Sequence, residues 1–196
     1  KDVFPPHPTD LLHTILLGEI HEGDLAIDAT AGNGHDTLFL AREVGETGAV
    51  IAFDIQAAAI EATRNRLESE KFIERVTLFQ KSHCELSTHA DHGSVKVIVF
   101  NLGYLPGADR NIATTAPDTL EALAASTRLL KPGGILAVIC YPGHPEGAEE
   151  SKAVESFFHS LPNHRIARYS LVATKGSAPF LLLARNGRKL SAEKLP

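Results

Sequence analysis

Short apolar runs alternate with amphipathic segments along most of this chain. Apolar residues dominate residues 24–28, 49–54, 76–79, 95–100 and 135–141, and runs of this length are typical of buried strands. The segments between them repeat their apolar residues at helical spacing. These segments predict helices over residues 9–18, 35–44, 56–71, 118–130 and 148–161. Strands that alternate with helices predict an α/β fold with parallel strands.

The end of the chain follows a different pattern. Residues 165–172 and 179–185 are strand candidates, and residues 173–177 between them are too few for a helical crossover, so the two strands should pair antiparallel. We therefore predict a Rossmann-like, doubly wound, mostly parallel seven-stranded sheet with a C-terminal antiparallel hairpin. The length fits one domain over residues 1–196, in which residues 1–22 form an N-terminal extension and helix.

A glycine-containing turn leads from the first strand into the next helix. Its sequence is Asp28-Ala29-Thr30-Ala31-Gly32-Asn33-Gly34-His35-Asp36-Thr37. The two glycines allow positive φ angles and the close approach of a ligand, and the helix start offers free N–H groups. Nicotinamide, flavin and S-adenosylmethionine (SAM) proteins all use turns of this kind, so the turn predicts a cofactor site of one of these classes.

Three acidic or hydroxyl residues bear on the cofactor, and two of them, Asp36 and Thr37, distinguish SAM from a dinucleotide. Thr37 stands where a dinucleotide site prefers a third small residue. The Asp36 carboxylate would repel a pyrophosphate but suits the ammonium group of a methionine moiety. Asp54 ends the second strand, where it can accept hydrogen bonds from both ribose hydroxyls of either cofactor. The pattern therefore favours SAM over NAD.

The end of the fourth strand carries a candidate target site. Asn101 and Tyr104 lie three residues apart in Asn101-Leu102-Gly103-Tyr104-Leu105-Pro106, and amino-group methyltransferases carry a similarly placed Asn or Asp followed by Pro-Pro-Tyr. In that arrangement Asn101 would accept hydrogen bonds from a target amine, and Tyr104 would stack on a base. Carbonyl dipoles would stabilise the positive charge that develops on nitrogen. Both residues are predicted to be catalytic.

Composition excludes several other classes of protein. A net charge of −5 argues against a protein that coats nucleic acid non-specifically, so any RNA must be bound locally. Cys84 and Cys140 match neither a zinc spacing nor a disulfide framework, and the histidines outside the motifs show no zinc-like clustering. No run reaches membrane-spanning length and no signal-peptide pattern opens the chain. We expect a soluble, cytoplasmic protein without a metal or a membrane partner.

With these motifs the chain resembles the rRNA methylase family of class I SAM-dependent methyltransferases, which is assigned to wobble-uridine modification of bacterial-type tRNA. The resemblance covers nearly the whole chain and rests on residues 28–37, residues 101–107 with Asp109, Ile112 and Thr114, and residues 141–147 with Glu150. It implies the class I fold, SAM, and methylation of the exocyclic amine of 5-aminomethyl-(2-thio)uridine in a tRNA anticodon loop. It also makes a homodimer plausible.

The chain departs from the family before the last strand. An Asn-rich segment ahead of Pro-Pro-Phe is expected there, and Lys175-Gly176-Ser177-Ala178-Pro179-Phe180 is found. Three other functions remain open as alternatives. They are methylation of rRNA or a small-molecule amine, non-catalytic binding of SAM or RNA, and NAD-dependent oxidoreduction.

The predicted site residues fall into two further groups. Those expected to bind the cofactor are Asp28, Thr30, Gly32, Asn33, Gly34, Asp36, Thr37, Asp54, Ile55, Gln56, Ser82, His83 and Asn101. Those expected near the substrate are Leu102, Gly103, Asp109, Arg110, Tyr141 and His144. Structural interpretations stay open beside these. Asp54 could cap a helix, Asn101 and Tyr104 could be a cap and a core aromatic, and His144 could be structural.

Overall fold

A computed structural model of the chain describes residues 7–103, 116–171 and 177–187. The helices in these ranges are α1 (Pro8–Leu16), α2 (His35–Glu43), α3 (Ala57–Ser69), α4 (Ala116–Leu129) and α5 (Pro145–Ser160). The strands are β1 (Leu25–Asp28), β2 (Ala49–Asp54), β3 (Val76–Gln80), β4 (Val95–Asn101), β5 (Leu130–Cys140), β6 (His164–Ser170) and β7 (Phe180–Asn186). Short 3-10 helices cover Ile73–Arg75 and His83–Thr88.

The seven strands form one sheet in the order β3-β2-β1-β4-β5-β7-β6. The first five strands in this order pair in parallel. β7 pairs antiparallel with both β5 and β6. The predicted mostly parallel sheet with a C-terminal antiparallel hairpin is therefore confirmed.

Helices cover both faces of the sheet, and β4 shows how one strand serves both. Val97 and Val99 pack against the cluster that includes the buried leucines of α1, α2 and α3. Ile98 and Phe100 pack against the cluster formed with α4 and α5. Because successive side chains of a strand point to opposite faces, a strand buried on both sides needs a continuous apolar run. The residues of β4 from Val97 to Phe100 are all apolar because this strand is buried on both faces of the sheet.

Several element boundaries differ from the predictions. The helix predicted over residues 9–18 begins one residue earlier, at Pro8, because the His7 side chain accepts the N–H of Thr9 and caps the helix. α5 begins at Pro145 because the His144 side chain caps it, and proline is suited to a first turn. β5 begins earlier than the strand predicted over residues 135–141. Residues 131–134 lie inside β5, as an irregularity opposite Val95 and Val97 at which Gly133 has a φ of 76°.

Candidate functional site

The carboxyl ends of three neighbouring strands meet at one edge of the sheet. β1 ends at Asp28, β2 at Asp54 and β4 at Asn101. The chain runs outward in one direction through β2 and β3 and in the other through β4 and β5. Ligands of open α/β sheets bind at such a switch point. The structure thus brings together the strand ends on which the sequence predictions depend.

The turn after β1 requires both of its glycines. Gly32 has a φ of 53° and Gly34 a φ of 76°, conformations that L side chains rarely adopt. A Cβ atom at Gly34 would lie 2.9 Å from the Cα of Thr63 on α3. The Thr63 hydroxyl donates to the Gly32 carbonyl at 3.0 Å, and the Arg66 Nε donates to the Asn33 carbonyl at 2.6 Å. The turn is therefore held tightly against α3.

The Asp28 side chain stabilises this turn through two hydrogen bonds. Its side chain is fully buried, and its oxygens accept the backbone N–H of Thr30 at 3.1 Å and the Thr37 hydroxyl at 2.5 Å. Burial, and then the charge of Asp36, raise the pKa of Asp28. Both oxygens are used within the protein, so Asp28 ties β1 to the first turn of α2.

The Asp54 carboxylate joins the glycine turn to the start of α3. Its Oδ2 accepts the N–H of Gly32 at 3.0 Å, and its Oδ1 accepts the N–H of Gln56, the N-cap residue of α3, at 2.9 Å. A carboxylate can accept about four hydrogen bonds, so each oxygen keeps capacity for a hydroxyl donor. Ile55 and Gln56 beside it are half-buried. The contact of Asp54 with ribose stays a prediction.

Ser82 and His83, which are both predicted to bind the cofactor, follow β3 and have different surroundings. The Ser82 hydroxyl accepts the N–H of Cys84 at 3.2 Å. His83 is 2% exposed and packs against Phe100, with 5.4 Å between the ring centroids. Among the described residues its Nε2 has no hydrogen-bond partner. Burial lowers the pKa of His83 to about 4, against a smaller opposing effect of a hydrogen bond with the backbone at Ala29.

This buried histidine gives a testable pH dependence of stability. The unfolded chain takes up a proton near the ordinary histidine pKa, whereas folded His83 does so only near pH 4, so stability should fall as the pH falls. Between about pH 7.5 and about pH 5.5, we expect the unfolding free energy of His83→Gln to fall by about 1 kcal/mol less than that of the wild type. Urea melts without cofactor measure both values.

Comparing the wild type with His83→Gln separates the contribution of His83 from that of the other groups that titrate in this pH range. Asp28 works in the opposite direction, because its raised pKa makes the folded state take up protons first, but it is present in both proteins. An equal loss of stability in the wild type and His83→Gln would show that His83 is not buried as a neutral ring.

Asn101 is connected to the glycine turn by its backbone and its side chain. Its N–H donates to the Thr30 hydroxyl at 2.7 Å, and its Nδ2 donates to Asp36 Oδ2 at 3.0 Å. Asp36 Oδ1 lies 2.7 Å from the Nε2 of His13 on α1. The predicted target residue therefore lies directly beside the predicted cofactor turn.

The other predicted substrate residues are partly described. A Cβ atom at Gly103 would lie 3.0 Å from the Tyr141 ring, so the ring lies against one side of this exposed glycine, while Leu102 packs against the core. Burial, and then the charge of Asp36, raise the pKa of Tyr141. His144 Nδ1 accepts the N–H of Gly147 at 3.0 Å. Tyr104, Asp109 and Arg110 lie outside the described residues.

Helix α1 supplies part of the site, although none of the site residues predicted from the sequence lies on it. The described residues form a groove of about 640 Å³ between α1 and α2, and its lining includes His7, Thr9, His13, Asp36, Phe39 and Asn101. The signal in the sequence is the spacing of Thr9 and His13, which lie one turn apart on a helix whose buried face is Leu12 and Leu16. His13 itself lies outside all of the sequence motifs.

The described part of the chain contains neither a cluster of metal ligands nor a helix suited to crossing a membrane. Within residues 7–103, 116–171 and 177–187, no group of three or more His, Cys, Asp or Glu side chains could hold a metal ion. None of the helices in the described part of the chain combines the length and the apolar character needed to cross a membrane.

The strand order, the glycine turn and the acidic residue at the end of β2 together define a class I methyltransferase fold. A sequence model of the family described as "Putative rRNA methylase" matches residues 50–185. This match extends over more than half of the chain, and the chain belongs to that family. The resemblance found in the sequence motifs is thus confirmed.

Individual relatives agree with this assignment. The chain is 42% identical over 163 residues to "tRNA (mnm(5)s(2)U34)-methyltransferase, chloroplastic" of Arabidopsis thaliana, and the match covers 79% of the chain but only 60% of that relative. The crystal structure of a "putative rRNA-methylase" from Clostridium thermocellum has a TM-score of 0.88 at 36% identity, covering 93% of this chain and 99% of that one. A "putative methyltransferase" from Streptococcus mutans, solved with S-adenosylhomocysteine, has a TM-score of 0.82 at 31% identity with the same coverage.

Proposed function

We propose that this chain is a SAM-dependent N-methyltransferase that acts on the aminomethyl group of 5-aminomethyl-(2-thio)uridine at the wobble position of tRNA. The observation that carries the proposal is the Asn101 carboxamide, which stands at the end of β4 and is hydrogen-bonded to Asp36 of the glycine turn at 3.0 Å. The name of the Arabidopsis relative and the S-adenosylhomocysteine in the Streptococcus structure support the substrate and the cofactor.

The residues around the turn fit a SAM molecule. The turn carries no side chain at Gly32 and Gly34, so the methionine part can approach its backbone closely, and the uncapped start of α2 offers backbone N–H groups. Asp54 keeps acceptor capacity for ribose hydroxyls, and the Nε2 of His83 is a buried polar atom that adenine could satisfy. Bound SAM supplies an electrophilic methyl group on a positively charged sulfur. The proposed cofactor set also includes Asp28, Thr30, Asn33, Asp36, Thr37, Ile55, Gln56, Ser82 and Asn101.

The chain's own contribution to the transfer is to orient an amine. The Asn101 oxygen accepts an N–H of the target and thereby directs the nitrogen lone pair towards the methyl group. Positive charge moves to nitrogen during the reaction, and the carboxamide dipole and the Asp36 carboxylate lie where they stabilise it. An amine target therefore fits this site better than a carbon or hydroxyl target.

The wobble base suits the entrance to this site. It lies in a single-stranded loop, so it reaches a pocket without the melting of a duplex. The groove between α1 and α2 has Asn101 in its lining and a volume of about 640 Å³, and we propose that it receives the nucleotide. The net charge of −5 is compatible with this route because contact is confined to one loop of the RNA.

Mass spectrometry of tRNA nucleosides tests the proposal directly. Purified protein is incubated with SAM and with tRNA from cells that stop at the aminomethyl stage. We expect the aminomethyl nucleoside to disappear and the methylaminomethyl nucleoside to replace it. The same tRNA with an unmodified wobble uridine, which lacks the amine, serves as the control and should stay unchanged. Methyl transfer confined to rRNA or to a free amine would contradict the proposed substrate.

A further inference from the structure

Helix α1 holds a histidine rigidly at the edge of the candidate target site. Leu12 and Leu16 are fully buried and fix the helix against the sheet. The His13 ring stacks on Phe39 of α2, with 4.0 Å between the centroids and 4° between the planes. His13 therefore has a defined position although it belongs to none of the sequence motifs.

Asp36 connects this histidine to Asn101. Its Oδ1 lies 2.7 Å from His13 Nε2, and its Oδ2 lies 3.0 Å from Asn101 Nδ2. Asp36 is 6% exposed, and a carboxylate that is removed from water needs hydrogen-bond donors for its oxygens. His13 donates to one oxygen as the Nε2–H tautomer or as the imidazolium ion. The three side chains thus form a continuous hydrogen-bonded row.

This row determines which end of the Asn101 carboxamide is presented to a substrate. An ionised carboxylate only accepts hydrogen bonds, so the amide nitrogen must face Asp36. Rotation of the amide by half a turn would place two acceptors, Asn101 Oδ1 and Asp36 Oδ2, against each other. The backbone of Asn101 is itself held by the Thr30 hydroxyl at 2.7 Å. The Asn101 side chain is also hydrogen-bonded to the Tyr141 phenol. With Nδ2 towards Asp36, Oδ1 is the carboxamide atom that can accept a target N–H.

We propose that His13 is a positioning residue for the methyl transfer, which through Asp36 holds the Asn101 carboxamide with its oxygen towards the target amine. This inference rests on the proposed function of the site. His13 acts without touching the reacting atoms, because Asp36 stands between it and Asn101. Helix α1 therefore contributes a positioning residue to the active site in addition to packing against the sheet.

Two substitutions of His13 separate its hydrogen bond from its other properties. His13→Ala removes the donor to Asp36, whereas the amide nitrogen of Gln in His13→Gln takes about the place of Nε2 and keeps a donor. Thr14→Ala is the matched control, because Thr14 is exposed on the same helix. We expect His13→Ala to lower kcat roughly 10- to 100-fold while KM for tRNA and Kd for SAM change less than about threefold. His13→Gln should recover most of kcat.

A spectroscopic readout keeps the inference separate from the proposed substrate. The side-chain NH2 resonances of Asn101 in the cofactor-free protein should shift in His13→Ala, return towards wild type in His13→Gln and stay unchanged in Thr14→Ala. Unshifted resonances in a folded His13→Ala protein, or wild-type kcat in that variant, would overturn the positioning role. An equal loss of kcat in both His13 variants would do the same. Absence of tRNA methylation by the wild type would instead reject the proposed function and leave the NMR result to decide on His13.

Discussion

Replacement of Asn101 by Ala should lower turnover on the correct tRNA roughly 100-fold or more, with little change in SAM affinity. The carboxamide is the group at the end of β4 that can orient an amine, and its Nδ2 is already used by Asp36 at 3.0 Å. The remaining oxygen is the acceptor proposed for the target amine, and its loss leaves the hydrogen bonds of the glycine turn with Asp28 and Asp54 in place. A group that acts only on the reacting nitrogen affects kcat more than ground-state binding.

Single-turnover methylation and calorimetry with SAM measure the two quantities separately. Asn65→Ala is a matched control, because Asn65 is an exposed carboxamide on α3. It should retain both the turnover and the affinity of the wild type. Wild-type turnover in Asn101→Ala would rule out a role for Asn101 in orienting the target amine. A loss of SAM affinity as large as the loss of turnover would mean that Asn101 acts on the cofactor instead.

The architecture was predictable because its signals are local. Apolar runs mark β2 and β4, and the short connection between β6 and β7 excludes a crossover, so strand type and pairing follow from neighbouring residues. The carboxyl ends of parallel strands share one edge, so the placement of Asp28, Asp54 and Asn101 at that edge followed from the predicted parallel pairing.

The connections inside the site were not predictable in the same way. The contact between His13 and Asp36 spans 23 residues, and it depends on how α1 docks on the sheet rather than on any local pattern. Likewise, Asp28 has the same sequence position whether it faces a ligand or, as here, is buried beneath Thr37. The cap of α5 by His144 was missed because histidine is not among the preferred N-cap residues.

Replacement of Asp54 by Ala should weaken SAM binding by about 2–3 kcal/mol, roughly 30- to 150-fold in Kd. Hydrogen bonds to a charged acceptor are stronger than those to a neutral one, and the ribose offers two hydroxyls. The structure adds a second reason. Without the carboxylate the N–H groups of Gly32 and Gln56 lose their shared acceptor, so the turn that receives the methionine part is also less well held.

Calorimetric titration with SAM, together with a thermal melt of the free protein, separates these two contributions. Asp54→Asn keeps an acceptor for one N–H but loses the charge, so its Kd should fall between those of the wild type and Asp54→Ala. The control Glu61→Ala removes an exposed carboxylate from α3 and should bind SAM like the wild type. Unchanged affinity in Asp54→Ala would mean that Asp54 only joins the turn to α3. A lower melting temperature with unchanged affinity would lead to the same conclusion, because the lost hydrogen bonds would then belong to the fold alone.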